Sequence, residues 1–69
     1  MSERKLKAQC IEKNISFEEL SQVLGMSKST FYRKLSNDTF TVKDIRKMSE
    51  YLNWTSDTML YVFFPKEAV

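Results

Sequence analysis

Histidine is absent from this 69-residue sequence, and cysteine, glycine and proline occur once each. One cysteine excludes an internal disulfide, and without histidine it leaves no ligand set for a zinc site. There is no glycine-rich phosphate loop and no nucleophile standing with a recognisable base, so nothing indicates an enzyme. No apolar run is long enough for a signal peptide or a membrane span. Repeats and low-complexity segments are missing as well. The expectation is a soluble, cytoplasmic protein with no metal, no cofactor, no membrane contact and no enzymatic activity.

What is present suits a small folded domain. Hydrophobic residues make up 42% and aromatics 13% of the chain, too much for a disordered tail. Residues 1–69 read as one domain, which at this length buries only about 60% of its unfolded surface. The net charge is +2, and its distribution says more than its size. Between Met26 and Lys47 six cations stand against two anions, a net +4, while the remainder holds five against seven, a net −2. Concentrated positive charge of this kind is the footprint of a phosphate-facing surface.

The pattern centres on residues 17–35, FEELSQVLGMSKSTFYRKL. Ser16 and Glu19 have capping-box spacing, with Glu19 expected to reach back to the first turn. Ile15 and Leu20 can close over that turn as a hydrophobic staple. The helix spans 17–24 and stops at Gly25, which can take a left-handed conformation without a Cβ penalty. Start signals recur at once, with Ser27 as cap and Met26 and Phe31 as staple, for a second helix over 28–35. Helix, glycine turn and immediate second helix fit a helix-turn-helix. Phe31 and Leu35 share the inner face of the second helix, leaving Lys28, Ser29, Tyr32 and Arg33 to meet base edges in DNA.

Flanking segments complete an all-α layout. Ser2 is placed to cap a helix over 3–14, with Leu6, Cys10 and Ile11 as its inner face and Asn14 as its C-cap. Cys10 reads as a small core residue. Ser36 to Thr39 form a polar turn in which Asn37 or Asp38 takes positive φ. Thr41 and Asp44 start a helix over 42–52, with Phe40 and Ile45 at staple positions and Ile45, Met48 and Leu52 inward. Asn53 ends it. Thr55 caps a last helix over 56–63, which Pro65 terminates, leaving a tail over 65–69. The run Met59 to Phe64 is continuously apolar, more than one small core can absorb. Met59, Leu60, Phe63 and Phe64 are therefore expected at a dimer interface, as a helix or as a strand pairing with its copy.

Residues 16–35 resemble the helix-turn-helix of the lambda repressor-like family, which includes Cro, CI and related bacterial regulators. Leu20, small Ser21, Gly25, Met26 and Phe31 carry the resemblance in that family's spacing. The layout extends it to about residues 3–64. The stretch SKSTFYRKLSND is similar to small phage or prophage regulators of Gram-positive bacteria. Two positions depart. Phe17 stands where the family often has a Gln that touches phosphate and braces a base-reading residue, and Ser21 replaces a favoured Ala. The resemblance implies a compact five-helix domain with the motif at helices 2 and 3, acting as a Cro- or CI-like repressor that binds a palindromic operator in double-stranded DNA as a homodimer. In the family the loop after the second motif helix runs near the DNA backbone, so Ser36 and Asn37 either donate to phosphate or only make the turn. Lys34, Asn37 and Lys43 are the expected phosphate contacts. So short a chain leaves no room for a small-molecule inducer pocket. The rival class is a protein-interaction module, an antirepressor or co-regulator that binds a partner repressor instead of DNA.

Overall fold

The computed structural model describes residues 3–64, so Ser2, Pro65 and the tail lie outside the described residues. Five helices follow in order: α1 (Glu3–Glu12), α2 (Phe17–Val23), α3 (Lys28–Asn37), α4 (Val42–Tyr51) and α5 (Ser56–Phe63). No strand occurs among the described residues. The expected all-α fold is the observed one.

One local device builds all four junctions. Helices α2 to α5 each start at a hydroxyl residue with extended backbone: Ser16, Ser27, Thr41 and Thr55. Each hydroxyl accepts from the backbone N–H three residues on, at 3.0 to 3.2 Å. Such a cap is worth about 1 kcal/mol, because it satisfies a donor that the first turn leaves orphaned. Helices α1 to α4 are each followed by a left-handed residue: Asn14 (φ 59°), Gly25 (φ 70°), Asp38 (φ 56°) and Asn53 (φ 55°). The next residue then donates back across the helix end, Ile15 to Cys10, Met26 to Ser21, Thr39 to Lys34 and Trp54 to Ser49, at 2.8 to 3.1 Å. These are Schellman closures, and in three of them the donor is a large apolar residue packed against the core.

The core comprises Leu6, Cys10, Leu20, Leu24, Phe31, Leu35, Met48, Leu52, Val62 and Phe63. Helix α2 packs on α3 and α4, while α5 packs on α1 and α4. Phe31 is fully buried and touches Phe17 and Phe40 with ring centroids 5.2 and 5.3 Å apart. Phe40 meets Phe63, and Phe63 meets Trp54. Rings thus run from α3 through to α5.

Several local expectations are corrected. Ile11 is 69% exposed and is not part of the inner face of α1. Leu6 and Cys10, four apart, take that face, and the following residue is rotated about 100° off it. Helix α1 stops at Glu12, because Asn14 takes the left-handed position. Helix α3 runs two residues further than expected, to Asn37, because Asp38 rather than Asn37 turns left-handed. The Glu19 carboxylate accepts from the Tyr51 hydroxyl on α4. The reciprocal capping box forms at α4, where Thr41 and Asp44 stand at the spacing that the sequence offers for one.

The apolar run near the C-terminal end divides by face. Val62 and Phe63 are buried, Met59 and Leu60 half-buried, and Tyr61 and Phe64 are 50% and 41% exposed. Residues 60–63 are helical, so the strand alternative is not realised. The Lys5 ammonium lies 3.9 Å from the Tyr61 ring centroid, joining α1 to α5.

Candidate nucleic-acid interface

The turn between α2 and α3 is set by Gly25. A Cβ there would meet nothing within 4 Å, so space does not demand glycine; the positive φ favours it. Ser21 faces α3 at 2% exposure, and its hydroxyl donates to the Glu18 carbonyl at 2.6 Å. A small, internally satisfied residue allows close helix approach. Ser27 then starts α3 by accepting from the Thr30 N–H at 3.1 Å.

With Phe31 and Leu35 inward, Lys28, Ser29, Tyr32 and Arg33 are all exposed on the outside of α3. At about 100° per residue they share one outward arc, and Ser36 falls in its middle. Ser36, expected in the polar turn, lies on the helix. Its place on the helix follows from the left-handed Asp38, which lengthens α3 by half a turn.

The expected phosphate residues separate. Asn37 closes α3 and Lys43 is the second residue of α4; both are exposed. Lys34 is half-buried, its ammonium 3.4 Å from a carboxylate oxygen of Asp44. Asp44 also accepts from the Thr41 N–H at 3.1 Å. Burial alone would raise the Asp44 pKa. Hydrogen bonds from Thr41 and the Lys34 ammonium outweigh that and hold it below its usual value. This pair ties the start of α4, on which Lys43 is the residue before Asp44, to the last turn of α3.

Aromatic packing supports the arc from behind. The Phe17 centroid lies 5.8 Å from that of Tyr32, edge-on, and Phe31 lies 6.0 Å from Tyr32 at 90°. Of the residues expected at a dimer surface, Phe64 is exposed, Met59 and Leu60 are half-buried, and Phe63 is spent on the chain's own core. Tyr61, not among them, is exposed on the same helix. Helical spacing carried that signal: Leu60, Tyr61 and Phe64 share a stripe on the side away from Val62 and Phe63.

No helix among the described residues is long and apolar enough to cross a membrane. No curated protein and no solved structure matches the chain. Residues 5–62, from within α1 to within α5, match the family model described as Cro/C1-type HTH DNA-binding domain, and the chain belongs to that family.

Proposed function

We propose that this DNA-binding regulator is a Cro- or CI-like repressor, which reads a palindromic operator as a homodimer and occludes a promoter. One observation carries the reading. Lys28, Ser29, Tyr32, Arg33 and Ser36 form a single exposed arc of donors, acceptors and ring surface on a helix braced from behind by α2. An α-helix with its side chains is about as wide as the major groove, so this arc meets base edges while flanking residues meet phosphates. Asn37 and Lys43 are the phosphate contacts. Lys34 can join them only by leaving Asp44.

One helix reads few base pairs, and a net +2 gives little sequence-independent affinity. Two copies on a two-fold axis supply both, with reading helices about 34 Å apart. The stripe of Leu60 and Tyr61 on α5, continued by Phe64 just past its end, is the dimer surface, while Met59 packs toward the core on the side of Val62 and Phe63. The class that fits is the small phage or prophage regulator, working in a bacterial cytoplasm.

Selection of bound duplexes from a random pool, followed by sequencing, tests this. Enrichment of an inverted repeat with half-sites about one helical turn apart is the expected result. Absence of enrichment at any salt concentration would refute it and direct attention to a partner repressor.

A further inference from the structure

We infer that Phe17 is a positioning residue for Tyr32, and that the ring it steadies reads a thymine methyl in the operator. The inference rests on the DNA-binding reading above. Phe17, Phe31 and Tyr32 form a closed triangle, with centroids 5.2, 5.8 and 6.0 Å apart and every pair tilted or edge-on. Tilted and edge-on contacts are those that aromatic quadrupoles favour. The triangle has a gradient of exposure. Phe31 is fully buried, Phe17 half-buried and Tyr32 42% exposed. The rigid core is thereby extended, ring by ring, to the reading face.

Phe17 has no polar atom in its side chain and can neither donate to a phosphate nor accept from a base. What it offers DNA goes through Tyr32. The space beside Tyr32 makes that support necessary. A cleft of about 170 Å³ lies there, lined by Phe17, Tyr32, Ile11 and Lys7 among others. Without the Phe17 ring this cleft widens on the Tyr32 side, and the tyrosine can swing into it, off the reading face. With the ring in place, the order that contact demands exists before DNA arrives.

A braced ring also limits what can be read. The side chain meets the groove with an apolar edge as well as its hydroxyl. The one apolar feature of base edges in the major groove is the thymine C5-methyl. A fixed ring edge suits a methyl, whose contact has no directionality but requires close approach.

The test compares operator duplexes carrying thymine or deoxyuridine at each position, with the wild-type chain and four variants. One thymine per half-site should be identified by a loss of about fourfold on methyl removal, the value of burying one methyl group. Tyr32→Ala should bind thymine and uracil duplexes alike at that position. Tyr32→Phe should keep the discrimination, since the ring and not the hydroxyl makes it. Phe17→Leu should lose it while keeping wild-type preferences at all other positions, a pattern that general destabilisation would not give. Phe17→Tyr restores a ring and should restore the discrimination. If Phe17→Leu does not fold at the assay temperature, the Tyr32 and Phe17→Tyr variants still decide. Discrimination that survives in Phe17→Leu or Tyr32→Ala, is lost in Tyr32→Phe or Phe17→Tyr, or is absent from the wild type on a selected operator overturns this inference and leaves the repressor reading intact. Failure to select any operator overturns both.

Discussion

The Lys34 ammonium stands 3.4 Å from a carboxylate oxygen of Asp44, and Asp44 in turn holds the Thr41 N–H. One carboxylate thereby caps the start of α4 and ties it to Lys34 in the last turn of the reading helix. The Asp44 side chain is 13% exposed and the Lys34 side chain 27%, so the pair is screened less than a surface ion pair.

Acid should unlock this joint first. The Asp44 pKa is lowered on folding, so its contribution is complete above the ordinary value of 3.8 and disappears as pH falls through the lowered folded value. Asp44→Asn should cost about 1.5–3 kcal/mol at neutral pH, the range for hydrogen bonds to a charged group. Thermal melts from pH 7 to pH 2 should show a smaller acid loss in the variant than in the wild type. Parallel curves would refute this role for Asp44.

Lysines 34 and 43 should behave differently on DNA. Lys43→Ala should weaken binding evenly across sequences and reduce the salt slope by about one phosphate contact. Lys34→Ala should lower the melting temperature and leave the slope nearly unchanged. Lys28→Ala and Arg33→Ala should each cost about 1–3 kcal/mol on the selected operator alone. Affinity measured from 50 to 300 mM salt separates the three patterns.

Charge on the α5 stripe should dissociate the dimer without unfolding the monomer. Tyr61→Glu or Phe64→Glu places a carboxylate at a position already half open to solvent. Sedimentation should shift toward monomer while helical content is kept, and operator affinity should fall. Phe63→Glu should instead unfold the chain, because that ring is 5% exposed in the core.

At the turn between α2 and α3, Gly25→Ala should cost about 1–2 kcal/mol, the penalty of a left-handed backbone with a Cβ, and no clash should add to it. Gly25→Asn should cost less, since asparagine already holds that conformation at positions 14 and 53. Chemical denaturation resolves the difference. A cost for Gly25→Ala near that of a core truncation would mean that space, not φ, demands glycine.

The single cysteine should be silent in the folded chain. Burial, and then the charge of Glu19, push the Cys10 thiol up to about 11. Alkylation at pH 8 should therefore be slower than that of a free thiol by the fraction of time the chain is open, and should speed up as denaturant opens it. Rapid labelling of the native protein would contradict the burial.

The sequence alone determined the punctuation of this protein. Ser16, Ser27, Thr41 and Thr55 as starts, and Gly25 and Asn53 as stops, act on backbone groups three to five residues away, so their effect is written where they stand. The helix-turn-helix and the outward face of α3 follow from those signals and a period of about 3.6. Tertiary structure decided whatever depends on partners distant in sequence. Glu19 abandons its own helix start for Tyr51 on α4, Lys34 is drawn from the groove by Asp44, and Phe17 packs on Tyr32. Ile11 is left outside because Leu6 and Cys10 fill the contact with the core, and Phe63 turns inward while Tyr61 turns out, because α5 is seated on α1 and α4. Periodicity says that a helix has an apolar side; only the neighbours that bury it decide which residues lie at its edges.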